Sequence, residues 1–187
     1  MAGRKTIILG VSASIAIYKS CDLVRRLMDC GYAVNVVMTP NAKELIRPVV
    51  FQSLSNNKVY HDLFADPDAW EVEHVSLARR AALILIAPAT ADVIAKISHG
   101  ICDDMLTCVV SAAKAPVLIC PAMNDRMYTN KITQENIIKL KSLKYRFVEP
   151  KKGQLACGSI GTGCLADIEA IVKEVKRIVG KSGPVEK

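Results

Sequence analysis

The stretch LILIAPATADVIAKIS, residues 83–98, decides the fold. Its first five residues are all apolar and Pro88 follows them. A run of strand length with no polar face is buried on both sides, as in a parallel sheet covered by helices. Thr90 and Asp92 then stand where a helix begins, and a helical pattern covers residues 92–98. A buried strand passing directly into a helix is half of a βαβ unit.

The same order repeats on both sides. KTIILG (5–10) forms a strand, and a helix is expected over 15–30, with Ile15, Tyr18, Leu23 and Leu27 inward and Asp22, Arg25 and Asp29 outward. Gly31 stands at its C-terminal cap. AVNVVM (33–38) is a second strand, after which Thr39 or Asn41 can cap a helix. HVSLARRA, opened by His74, is a short amphipathic helix before the central strand. A helix over 103–113, a strand PVLIC (116–120) stopped by Pro121, a helix over 133–143, a strand over 145–148 and a helix over 167–179 complete the series. Residues 1–180 are therefore expected to form one α/β domain with a parallel sheet and right-handed crossovers, followed by a frayed tail at 181–187. EPKKGQLACGSIGTGCLA (149–166) shows neither period, carries four glycines and two cysteines, and is expected to be a loop that covers a site.

Composition narrows the function. With 187 residues, 51% of them hydrophobic, the chain can bury a sizeable core and is not intrinsically disordered. The net charge is +7, but Lys and Arg are scattered in short groups such as Arg79-Arg80 and Lys151-Lys152. That pattern argues against a nucleic-acid partner and suits solvated helix faces, or a field that attracts small anions. Seven cysteines without a CxxC pair exclude a structural zinc site. Cys21, Cys30, Cys102, Cys108 and Cys120 fit small buried residues in a reducing, cytoplasmic setting. No stretch is long enough to span a membrane, and HExxH and paired histidines are absent, so no catalytic metal is expected.

Ligands of such sheets bind beyond the carboxyl ends of the strands, which puts residues 10–14, 39–40, 88–92 and 121–124 on one rim. Gly10, Ser12 and Ser14 open a helix and suit a phosphate. They equally suit an ordinary turn capped by Ser12 or Ser14. Thr90, Asp92 and Asn124 are caps or ligand groups by the same logic. His74 is either a structural histidine or a working one. Cys157, among glycines, can be delivered to a ligand as proton donor or nucleophile. Cys164 is its resolving partner or a bystander.

In combination, these segments resemble the flavin-dependent cysteine decarboxylase family. The matching stretches are GVSASIAIYK (10–19), VVMT (36–39), HVSLAR (74–79), APATADVIAKISHGICDDMLT (87–107), PAMNDRMY (121–128) and LACGSIGTGCLAD (155–167), in family order over nearly the whole chain. The resemblance implies a flavodoxin-like three-layer sandwich, assembled as homotrimers or as a dodecamer of four trimers, with FMN at the interface between protomers. Gly10, Ser12, Ser14 and Thr39 match positions around the flavin and its phosphate, and Thr90, Ala91, Asp92, Val93 and Ala122 the rest of the flavin shell. Asn124 matches the residue that binds the substrate carboxylate, with Met123, Ala156 and Leu165 beside the substrate. His74 matches the active-site base and Cys157 the proton donor. The implied reaction converts 4′-phosphopantothenoylcysteine to 4′-phosphopantetheine for coenzyme A synthesis, through thiol oxidation, CO2 loss and reduction of an enethiol. The family also implies two other readings, a peptidyl-cysteine decarboxylase of peptide-antibiotic biosynthesis and a regulatory FMN-binding protein. Cys164 and Leu165 depart from the residues many relatives carry, and Asp92 stands where the broader family has Asn. A synthetase domain accompanies some relatives, so the chain is expected to be a stand-alone decarboxylase or the first domain of a longer protein.

Overall fold

The strands β1 (Thr6–Val11), β2 (Ala33–Met38), β3 (Ala81–Ala89), β4 (Val117–Pro121) and β5 (Arg146–Phe147) form one parallel sheet in the order β2-β1-β3-β4-β5. The structure, a computed structural model, describes residues 4–64, 72–154, 158 and 160–180. Helices α1 (Tyr18–Asp29), α2 (Pro48–Ser55) and α8 (Ile168–Val179) cover one face of the sheet. Helices α3 (Glu73–Arg80), α4 (Ala91–His99), α5 (Met105–Ala112) and α7 (Lys131–Ser142) cover the other. This is the flavodoxin-like three-layer sandwich.

Strand periodicity explains the layers. In β3, Leu83, Leu85 and Ala87 join the core that includes Leu23 and Leu27 of α1 and Ile171 of α8. Ile84 and Ile86 join the core that includes Leu106 of α5, Ile94 of α4 and Leu77 of α3. Each such side chain, once buried, contributes roughly 1.5–3 kcal/mol of hydrophobic stabilisation. The helix ends are capped as the sequence suggests: Gly31 has φ +84° and its N–H donates to Met28 O at 2.8 Å, while Asp104 and Thr107 form a capping box on α5.

Several expectations change. Pro88 and Pro121 do not end their strands; β3 runs on to Ala89 and β4 includes Pro121, which pairs with Ala89. Main-chain pairing continues past both prolines: Pro88 O accepts the Ser12 N–H and Ala89 O accepts the Ala122 N–H. Ile15 and Tyr18 are 63% and 62% exposed, not core. Residues Ile15–Ile17 form a 3-10 turn before α1, so the helical period starts later and Ile17 takes the inward position. Cys102 is exposed, and of the five cysteines read as core only Cys120 is fully buried. The region after β5 is not an irregular loop: β6 (Lys151–Gln154) and β7 (Ile160–Cys164) pair as an antiparallel hairpin. A five-residue helix, α6 (Asp125–Thr129), was not anticipated.

Candidate active site

β1 and β3 lie side by side, yet the chain leaves β1 for a helix on one face and β3 for a helix on the other. The crevice at such a reversal is where flavodoxin-like sheets bind their ligands. Ser12 holds its two sides together. Its hydroxyl donates to Pro88 O at 2.8 Å and accepts the Thr90 N–H at 3.0 Å, and its own N–H donates to Pro88 O at 3.3 Å. Ser20, from α1, donates to Ala87 O at 2.8 Å. The exit of β3 is thereby fixed against the start of α1. Ser14 then caps the 3-10 turn by accepting the Ala16 N–H at 3.4 Å, and Thr90 caps α4 by accepting the Val93 N–H at 3.4 Å.

A cavity of about 580 Å³ opens at this crevice, within the usual range for small-molecule sites. Its floor is Ala13, Ser14, Ile15 and Ala16, with Tyr18 and Lys19 at the start of α1. Thr90 and the exit of β4, Ala122 to Asn124, form one wall with Met127 of α6. Gln154, Gly163, Cys164 and Leu165 complete the lining. Small and apolar residues leave room for a flat ring, with hydroxyl and amide groups of Ser14, Thr90 and Asn124 around it. Asn124 Oδ1 accepts the Arg126 N–H at 2.9 Å, which fixes the plane of its amide.

The hairpin wall is seated by main chain. Met123 N–H donates to Gly163 O at 3.0 Å. A Cβ at Gly163 would lie 2.0 Å from Met123 O, and one at Gly161 2.6 Å from Asp125 Cβ. Both positions therefore require glycine for the strand to approach. Lys151, at the start of β6, pairs with Asp167, at the cap of α8, and closes the base of the hairpin. That hydrogen bond holds the Asp167 carboxyl below its ordinary range and raises the Lys151 ammonium.

Of the residues singled out in the sequence, Ser14, Thr90, Ala122, Met123, Asn124 and Leu165 line the cavity. Gly10, Ser12, Thr39, Ala91, Asp92, Val93 and His74 do not line it. Gly10 has a packing reason to be glycine, because a Cβ there would meet Leu106 Cδ1 at 2.5 Å. Ser12 is fully buried beneath the crevice. Thr39 is 5% exposed and its N–H donates to Val11 O at 3.0 Å. Ala91, Asp92 and Val93 form the first turn of α4, where Lys96 bridges Asp92 at 3.6 Å and Asp103 at 3.1 Å. Although burial pulls Lys96 downward, the two carboxylates carry its pKa above the ordinary value. His74 is half-buried on α3. Ala156 and Cys157 lie outside the described residues. Lys19, Met127 and Gln154 line the cavity without having been singled out, although the first two fall inside the quoted motifs, and Tyr18, expected in the core, lines it as well. Burial pushes the Cys120 thiol far up, so it stays protonated and inert. Among the described residues no group of three His, Cys, Asp or Glu side chains can hold a metal ion, and no helix is long and apolar enough to cross a membrane.

The profile of the family described as Flavoprotein matches residues 1–180. The chain belongs to the flavoprotein family. Within it, the chain is 44% identical over 174 residues to a probable phosphopantothenoylcysteine decarboxylase of Streptococcus mutans, covering 92% of this chain and 97% of that protein. It is 43% identical over 188 residues to the coenzyme A biosynthesis bifunctional protein CoaBC of Bacillus subtilis, covering all of this chain but 46% of that protein. The chain thus spans about half the length of the bifunctional relatives. A solved PPC decarboxylase, a cysteine-to-serine mutant complexed with pantothenoylaminoethenethiol, superposes with a TM-score of 0.84 at 27% identity, covering 94% of this chain and 98% of that one. The FMN-dependent cysteine decarboxylase SpaF superposes with a TM-score of 0.81 at 30% identity, covering 91% and 94%. The fold thus agrees with the architecture of these relatives.

Proposed function

We propose that this protein is an FMN-dependent decarboxylase of 4′-phosphopantothenoylcysteine, producing 4′-phosphopantetheine for coenzyme A synthesis. The observation that carries this reading is a cavity at the β1/β3 reversal lined by Ser14, Thr90 and Asn124, in a chain 44% identical to a probable decarboxylase of this substrate. The residues present fit FMN: a largely apolar slot takes the ring, while Ser14 and Thr90 offer hydroxyls to its polar edge and Ala91, Asp92 and Val93 form the helix turn that Thr90 caps. When bound, FMN supplies the oxidation of the substrate thiol that makes loss of CO2 feasible and the hydride that completes the product.

The protein's own groups hold the substrate and move protons. The Asn124 amide grips the substrate carboxylate beside Met123 and Leu165. His74 serves as base toward the thiol. Cys157 donates the proton that finishes the saturated product. Because His74 does not line the cavity of its own subunit, it acts on a neighbour's site in a homotrimer, with FMN at the interface between protomers. Residues 1–180 act as one unit in this assembly, to which a synthetase domain or partner can be joined.

The test is incubation of the FMN-loaded protein with 4′-phosphopantothenoylcysteine, recording CO2, product mass and flavin absorbance. The expected product is 4′-phosphopantetheine. FMN binding without CO2 release, or decarboxylation of a peptide C-terminal cysteine in its place, overturns the reading. Cys157→Ser is expected to keep CO2 release and yield a product two hydrogens poorer; normal product from that variant removes Cys157 from its role.

A further inference from the structure

We propose that Tyr128 and Glu149 form a clamp that sets the β6–β7 hairpin against the cavity, which makes Tyr128 a positioning residue for the substrate side of the site. Tyr128 sits on α6, four residues after Asn124, and its hydroxyl donates to Glu149 Oε2 at 2.6 Å. Glu149 stands two residues before β6, and its other oxygen accepts from Lys141 of α7 at 2.6 Å. Gln134 of α7 donates to Tyr128 O, so the helix carrying the tyrosine is itself held.

The clamp gains its meaning from the other strand of the hairpin. β7 is already seated on residues 123–125 through the Met123–Gly163 hydrogen bond and the two side-chain-free approaches at Gly161 and Gly163. The segment from Met123 to Tyr128 thus holds both arms: β7 by main chain, β6 through Glu149. Met123, Asn124 and Met127 and, from the hairpin and its end, Gln154, Cys164 and Leu165 all line the cavity and are joined through this segment into one coupled frame. Lys141 and Glu149 are both about half exposed, so their ion pair is screened and contributes little. Tyr128 reaches the same carboxylate at the same 2.6 Å through a charge-assisted hydrogen bond from a rigid ring.

The experiment is hydrogen exchange on the FMN-loaded protein. In Tyr128→Phe, amides of residues 151–154 and 160–164 are expected to exchange about tenfold faster, equivalent to about 1.4 kcal/mol, while β1 and β3 amides stay within about twofold of wild type. Glu149→Gln moves in the same direction. Lys141→Met, which leaves the tyrosine bond intact, stays within about twofold. The kinetic arm rests on the decarboxylase reading: KM for 4′-phosphopantothenoylcysteine rises about tenfold, with kcat and FMN affinity within about twofold. Unchanged hairpin exchange in Tyr128→Phe, faster exchange spread over the whole sheet, or a KM change that merely follows FMN loss overturns the clamp. If the wild-type protein releases no CO2, the decarboxylase reading falls, and hydrogen exchange still decides the clamp.

Discussion

Replacing Gly163 by Ala tests how the hairpin is seated. The new Cβ would lie 2.0 Å from Met123 O, a main-chain atom that cannot swing aside. The strand must therefore retreat, and the Met123–Gly163 hydrogen bond at 3.0 Å goes with it. Losing the bond with its donor left without a partner costs about 1–3 kcal/mol. A loss of about 1–3 kcal/mol in the docking of the hairpin follows, or about 5-fold to 150-fold in the docked population. Gly161→Ala provides the comparison. Its Cβ would lie 2.6 Å from Asp125 Cβ, an atom that side-chain rotation does not move, so the strand must shift there too, but by less than a 2.0 Å approach demands and without a direct clash on the Met123–Gly163 hydrogen bond. Hydrogen exchange of residues 151–154 and 160–164, with β1 and β3 amides as internal reference, reads both variants. The loosening should be local and larger for Gly163→Ala. Equal effects, or a Gly163→Ala hairpin as protected as wild type, would refute main-chain seating.

Gly10→Ala should overpack the second core, since its Cβ would lie 2.5 Å from the fully buried Leu106; a loss of about 1–3 kcal/mol is expected in denaturant titration, and wild-type stability contradicts it. Ser12→Ala removes the two hydroxyl bonds from Ser12 to the β3 exit and keeps the main-chain one, at about 1–3 kcal/mol, and FMN titration should show weaker binding. Unaltered FMN affinity would make Ser12 irrelevant to the crevice. Partial burial alone would raise the Glu149 carboxyl, but Lys141 and Tyr128 hold it below its ordinary 4.5. A carboxyl depressed in the fold stabilises fully above its unfolded value and loses that contribution as pH falls through its folded value. Hairpin protection should therefore fade with acid below pH 4.5, and Glu149→Gln should flatten that profile. Burial and then Glu149 raise the Tyr128 hydroxyl above its ordinary 10, so its share is present below pH 10 and is lost as pH rises through the raised value.

The layers were legible because LILIA has no polar face and each run beside it has a helical partner. The 3-10 turn at Ile15–Ile17 displaced the inward positions, since a turn of three residues per cycle shifts every later side chain relative to an α-helical count. β6 and β7 escaped because KKGQ and IGTGC carry no alternating apolar residues. Their glycines are set by Met123 and Asp125, far away in the sequence, which no local pattern encodes. The five residues of α6 are too few to show a period. Ser12 was visible as a candidate cap, but its partners, Pro88 and Thr90, belong to another strand.

Two side-chain-free contacts hold β7 in place, while Gln154 and Cys164 belong to the lining of the cavity. Scaffolding and recognition thus fall on different atoms of one ribbon. Substitutions at Gln154 or Cys164 can change what the cavity accepts without unseating the strand, so the ribbon offers an evolutionary dial for ligand choice, turned by side chains against a main-chain bearing.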